Sequence, residues 1–159
     1  MIAPNAPRGG APVKFLSELP EVEAGTVCFL RLWCESPESR GQVITDLNDL
    51  LGPAHVPLAV DSLGQMCDLF SRYARRPVMR HHSGCSCLGA DEACFANLVA
   101  EAAAGHRDDA FLFVMLIVRA DFAPALVGLA EQFGLALLVL KRRETSKVTL
   151  RVPDQAPIH

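Results

Sequence analysis

An all-α fold, a compact bundle of about six helices, is what this sequence predicts, and three observations carry the prediction. Half of the residues are apolar but only 6% are aromatic. Alanine and leucine supply much of that half, a balance that favours helix over strand. Proline, glycine and capping residues cut the chain into helix-length pieces, and within most pieces the apolar residues recur three and four apart. A chain of 159 residues is long enough for one domain with its own core. We expect a single helical domain over residues 13–144, a disordered leader over 1–12, and a basic, partly extended tail over 145–159.

The elements follow in order. Residues 1–12 are rich in Pro and Gly and have no apolar stretch of the signal-peptide kind. Pro20 begins a segment in which Val27, Leu30 and Cys34 share a face with Phe29 and Trp33. Gly25 and Thr26 weaken a helix there, and Val27 to Leu32 would also suit a strand. Ser36-Pro37-Glu38 is a strong helix start, with Ser as N-cap and Pro at the first helical position. Val43, Leu47, Leu50 and Leu51 then recur at helical spacing until Gly52-Pro53. Leu58 to Tyr73 repeats the pattern through Leu63, Met66, Cys67 and Phe70, and Pro77 stops it. Asp91 and Glu92 fall in the first turn of a helix running to Ala104, where acidic side chains complement the dipole. Cys94, Phe95, Leu98, Val99 and Ala102 make its buried face, and Gly105 is its terminus.

Residues 108–140 are ambiguous. Asp108-Asp109 can open a helix through Val118, and Asp121 can cap another through Phe133, yet Phe111–Val118 and Leu135–Leu140 would also suit buried strands. Helix is preferred, because two lone central strands would need partners. Lys147 to Val152 alternates and reads as extended, a short C-terminal hairpin being one form it can take.

The candidate site is the run His81-His82-Ser83-Gly84-Cys85-Ser86-Cys87, followed by Cys94, which holds three of the six cysteines. A tetrahedral zinc site needs four N or S donors. Cys85 and Cys87 flank Ser86 in a glycine-bearing loop, and His81 or His82 supplies a third ligand. Cys94 would reach back from the following helix, where the positive helix end favours thiolate. The metal candidates are therefore His81, His82, Cys85, Cys87 and Cys94, with zinc as the cofactor. Three thiolates and an imidazole would also hold an iron–sulfur cluster. The plainer alternative makes Cys87 and Cys94 buried small hydrophobes, with the histidines exposed beside Arg80. A third possibility uses Cys85, Cys87 and Cys94 for thiol redox or nucleophilic chemistry, His81 or His82 acting as base and Asp91 or Glu92 orienting the imidazole. Cys28, Cys34 and Cys67 lie on apolar helical faces and are expected to pack in the core. The chain has no phosphate-binding glycine loop, His-Glu-x-x-His helix or Gly-x-Ser-x-Gly elbow.

The net charge of −3 is unevenly spread. Segments 72–82 and 141–151 are basic while the rest is acidic, so an anionic partner could meet Arg72–Arg80 or Lys141–Arg151. The segment Leu126-Val127-Gly128-Leu129-Ala130-Glu131-Gln132-Phe133-Gly134-Leu135, with its Ala130–Gly134 spacing and Leu140 in a buried slot, resembles in part a bacterial helix-turn-helix. The resemblance covers about 20 residues and implies DNA reading by the second helix. That helix reads Ala136-Leu137-Leu138-Val139 where polar side chains are needed, and an acidic chain opposes phosphate binding, so nucleic acid is disfavoured. The very apolar 110–140 region is the candidate surface for a homodimer. Its longest uninterrupted apolar run, Ala110–Val118, is about half of a membrane span, so no membrane is expected. These features together point to a small, soluble, cytoplasmic accessory or regulatory protein, non-enzymatic, whose 81–94 loop binds zinc. A thiol-based redox enzyme or sensor using Cys85, Cys87 and Cys94, and a helix-turn-helix DNA-binding regulator, are the rival classes.

Overall fold

The computed structural model describes residue 10 and residues 12–151, with side chains described as far as Arg142. The chain runs β1 (Pro12–Phe15), a 3-10 turn (Leu16–Glu18), α1 (Glu21–Glu35), α2 (Pro37–Leu51), α3 (Val56–Tyr73), β2 (Cys87–Gly89), α4 (Ala90–Ala103), α5 (Arg107–Ile117), a second 3-10 turn (Ala120–Phe122) and α6 (Ala123–Arg151). The fold is an all-α bundle, and β1 and β2 form one antiparallel two-stranded ribbon.

Local chemistry explains the helix boundaries. Segment 21–35 is a helix throughout, and the Thr26 hydroxyl, buried within it, donates to the Val22 carbonyl at 2.9 Å. Ser36 caps α2 by accepting from the Ser39 amide at 3.0 Å, with Pro37 behind it. Gly52 ends α2 at φ 77°, a left-handed conformation that favours glycine. Both ambiguous stretches are helical, the first as far as Ile117, after which Val118 is extended and bridges to Ala74, and the second throughout 135–140. Their buried residues explain this: Ala110, Val114 and Ile117 share one face of α5, and Leu126, Ala130, Phe133 and Leu137 one face of α6.

One principal core joins all six helices, including Leu47, Leu63, Phe95, Leu126 and Phe133. Phe70 meets Phe95 edge-to-face at 5.5 Å, and Phe29 meets Phe133 likewise at 6.4 Å. A smaller core of Val27, Leu88 and Ala96 lies beside the ribbon, with Leu16 and Leu19 packed against it.

Several expectations need correction. The leader was expected to reach residue 12, but Pro12–Phe15 is strand β1, and the Cys-rich loop ends in its partner β2, with Lys14 opposite Leu88 and Phe15 opposite Cys87. Residues 1–9 and 11 lie outside the described residues. The tail is helical as far as Arg151 rather than an extended hairpin, and 152–159 lie outside the described residues. The helix expected to stop at Phe133 continues, so the turn of a helix-turn-helix at Gly134 is absent. Gly134 serves packing instead. A Cβ on it would lie 2.7 Å from the Ala103 Cβ and 2.9 Å from the Val99 carbonyl oxygen, because α6 crosses α4 there at close range.

The stretch Ala120–Arg142 is long and apolar enough, by length and composition, to cross a membrane. In this fold it is a core element, with Leu126, Val127, Ala130 and Phe133 fully buried. Much of the 110–140 region is likewise core, and its exposed large apolar residues are Leu112, Met115, Leu116 and Leu135.

Candidate functional site

The 81–94 loop is organised around an ion pair that sequence reasoning missed. Arg31, on α1, and Glu92, in the first turn of α4, have fully buried side chains, and Arg31 Nε lies 2.8 Å from Glu92 Oε1. Arg31 Nη2 donates to Glu92 Oε2 at 2.9 Å and to the Cys87 carbonyl at 2.6 Å, and Nη1 to the Cys85 carbonyl at 2.7 Å. Glu92 also accepts from the His81 amide and from the Gly89 amide, each at 2.9 Å. Burial acts to raise the Glu92 pKa, but Arg31 and the two amides outweigh it and hold the carboxyl below its ordinary value of 4.5. The pair thus satisfies four backbone groups of one loop, at 81, 85, 87 and 89. Asp91 does similar work beside it, taking a bidentate contact from Arg76 at 2.8 Å and the Met79 amide at 2.8 Å. These two acids were expected to act as helix-start charges. They are also the posts on which the loop is strung.

The candidate ligands occupy different surroundings. The His81 ring covers Gly89, where a Cβ would lie 3.3 Å from its Cδ2 and Nε2. Its Nε2 is buried and has no hydrogen-bond partner among the described residues. His82 is exposed, and its carbonyl accepts from the Cys85 amide at 3.0 Å, closing a turn. Cys85 and Cys87 are half-buried, with their carbonyls committed to Arg31. Cys94 packs against the principal core. Burial, aided by Asp91 and opposed by Arg76, pushes its thiol pKa up, opposite to the thiolate expected from its place near a helix start. Among the described residues, three ligand atoms within 4.8 Å of one another occur at Glu101, His106 and Asp109. No three of His81, His82, Cys85, Cys87 and Cys94 converge in that way. Within the other group, His106 Nδ1 already lies 2.7 Å from Glu101 Oε2, in a mostly exposed pair.

A second thiol site lies between α1 and α3. Cys34, near the end of α1, and Cys67, on α3, place their sulfurs 3.9 Å apart, within thiol hydrogen-bonding distance. Both pack against the principal core, as expected, but only in part. Cys28, expected there too, is half-buried and belongs to neither core cluster. Cys34 and Cys67 line a cavity of about 590 Å³ with Leu30 and Phe70 as apolar wall and Arg75 and Arg80 among its cations. The Arg80 Nη2 donates to the Cys34 carbonyl at 2.7 Å. Arg40, stacked on Trp33 with its guanidinium carbon 4.9 Å from the ring centre, is the second cation acting on Cys34. The thiol contact from Cys67 chiefly, then Arg80 and Arg40, bring Cys34 from 9.0 to about 7 against the opposing effect of burial. Cys67 keeps its proton far above the ordinary range, because Cys34 and burial both oppose a second negative charge.

Comparison of the chain with protein-family models, curated proteins and solved structures gave no match.

Two signals in the sequence could have led to these residues. Arg31 is a lone cation inside the apolar run Val27–Cys34, and a charge on a buried face requires a partner. Leu30 and Cys34 on α1, with Cys67, Phe70 and Ser71 on α3 and Ala74 just after it, recur three and four apart along the cavity.

Proposed function

We propose that this protein is a small thiol-responsive regulatory protein, with Cys34 and Cys67 as a reversible dithiol and the 80–87 loop as the surface that reports their state. The 3.9 Å sulfur contact at a cavity wall carries the reading. Thiolate is the attacking species in thiol chemistry, and exchange is fastest for a thiol whose pKa lies near ambient pH. Cys34, at about 7, meets that condition. Cys67 stands close enough to resolve whatever forms on it. The state of Cys34 reaches the loop through two contacts: Arg80 on the Cys34 carbonyl, and Ser83 Oγ on the Glu35 carboxylate at 3.0 Å. A non-enzymatic regulatory role asks for no more machinery than this. Zinc in the 81–94 loop has weaker support, since the ligand atoms would first have to converge, and the loop's path already has the Arg31–Glu92 pair to hold it.

Oxidation of the reduced protein with diamide, followed by peptide mapping without reduction, tests the reading. The expected product is an intramolecular Cys34–Cys67 disulfide, formed in Cys85→Ser and lost in Cys34→Ser and Cys67→Ser. A Cys85–Cys87 bond as the main product, or no intramolecular bond, overturns it. Metal analysis of untagged protein separates the zinc alternative: stoichiometric zinc with Cys85, Cys87 and Cys94 protected from alkylation would favour it.

A further inference from the structure

We infer that the cavity beside Cys34 and Cys67 receives an anionic low-molecular-weight disulfide, of the carboxylate-bearing glutathione disulfide kind, and that exchange with it oxidises the pair. The inference rests on the dithiol reading above and adds the chemistry of the oxidant.

The cavity's size and charge point to this class. Its volume of about 590 Å³ falls inside the range of small-molecule sites, roughly 300–1,000 Å³. Hydrogen peroxide would need neither that space nor those cations. The wall is apolar at Leu30, Phe70 and Val78, the two sulfurs sit beside it, and no acidic residue lines it. Three arginines do line it: Arg75, Arg76 and Arg80. Arg76 is committed to Asp91. Arg75 directs only Nε inward, to the Met115 and Val118 carbonyls at 3.2 and 3.1 Å. Arg80 uses Nη2 on the Cys34 carbonyl. Among the described residues neither Arg75 nor Arg80 meets a carboxylate, so each keeps its charge and further N–H donors. A guanidinium in that condition suits a carboxylate approached side-on through two hydrogen bonds. Two such cations in one cavity with a nucleophilic thiol match a disulfide that carries carboxylates on both sides of its sulfurs.

The chemistry balances. The Cys34 thiolate attacks one sulfur of the bound disulfide, the ligand's S–S bond breaks, and the first ligand thiolate leaves. Cys67 then attacks the Cys34 sulfur of the mixed disulfide and releases the second ligand thiolate. The two cysteine thiols lose two electrons and two protons to become a disulfide. The ligand disulfide gains both and becomes two thiols.

The test follows loss of protein thiols in the full chain at pH 7 with three oxidants: glutathione disulfide (anionic), 2-hydroxyethyl disulfide (neutral) and cystamine (cationic). Each rate is divided by that oxidant's rate with 2-mercaptoethanol, a neutral thiol, which removes its intrinsic reactivity without adding a charge preference. We expect glutathione disulfide to exceed cystamine by tenfold or more. Raising the salt from 20 mM to 500 mM should shrink that ratio, and the Arg75→Gln/Arg80→Gln variant should bring it near one. Equal normalised rates for all three oxidants in the wild-type chain, unchanged by salt, would overturn the inference even if the variant does not fold. Diamide separates the two claims. If it links Cys34 to Cys67 while selectivity is missing, only the anionic ligand falls; if it does not, the dithiol reading falls first.

Discussion

Arg31 and Glu92 stand 61 positions apart in the chain and meet inside the protein, Nε to Oε1 at 2.8 Å, with neither side chain exposed. Burying two charges is costly unless their remaining hydrogen-bonding groups are also satisfied. Here they are: the carboxylate takes two guanidinium contacts and two amides, and the guanidinium gives two further bonds to carbonyls.

Removing either partner should therefore be expensive. Arg31→Met leaves a buried carboxylate with its strongest donor gone, and Glu92→Gln leaves a buried cation. Each should lose about 3–5 kcal/mol of stability, whereas Arg31→Met combined with Glu92→Leu should lose clearly less than the two single losses together. Urea unfolding of the three variants measures this, and additive losses would show that the pair is not a coupled unit.

The same pair predicts an acid transition. Burial tends to raise the Glu92 pKa, but Arg31 and the amides of Gly89 and His81 bring its folded value below 4.5. A depressed folded pKa means that the contribution is complete above the unfolded value and is lost as pH falls through the lower folded one. Urea midpoints of the wild type should thus hold above pH ~5 and decline below it, and Glu92→Gln should lack that part of the decline. An identical acid profile in the variant would place the sensitive group elsewhere.

Cys34 should be the most acidic thiol of the pair. The groups facing it are Cys67, Arg80 and Arg40, while Asp68 and Arg40 act on Cys67. Because its pKa is lowered from 9.0 to about 7, alkylation at Cys34 should reach half its maximal rate near neutral pH. Cys67→Ala removes the largest acidifying contact, so the midpoint should move upward from about 7 toward 9.0. Iodoacetamide labelling followed by mass spectrometry across pH 5–10 reads both, and a wild-type midpoint near 9 would contradict the electrostatics.

Two glycines should answer alanine substitution with opposite signs. At Gly25, inside α1, a Cβ meets nothing within 4 Å, so Gly25→Ala should gain up to about 1 kcal/mol from helix propensity. At Gly134 the Cβ would press on the Ala103 Cβ at 2.7 Å and the Val99 carbonyl at 2.9 Å. Gly134→Ala should lose about 1–3 kcal/mol despite the same propensity gain. Thermal unfolding compares them directly.

Much of the fold was legible because its signals are local. Ser36 before Pro37, Gly52 after Leu51 and the acidic start at Asp91-Glu92 mark helix ends within a few residues. Gly134 misled for the same reason: a glycine needed for close helix crossing looks, in sequence, like one needed for a turn. Strand β1 was not legible, since four residues beside a Pro/Gly-rich stretch acquire their conformation from Cys87–Gly89 far along the chain. The site shows the same division. The 81–94 loop stood out by composition, but what holds it is Arg31, an interaction no spacing rule reaches. The pairing of Cys34 with Cys67 depends on how α1 and α3 lie together, although each cysteine was on the expected face.

The backbone of residues 79–89 is fixed mostly by side chains outside that stretch: Arg31 on one side, Asp91 and Glu92 just downstream. Its course is therefore set largely without help from the side chains of His82 and Ser86. The loop is in effect a display site, where new residues could be grafted with little change of path. A designer wanting a metal centre there could exchange those side chains freely, but would have to leave Arg31 untouched.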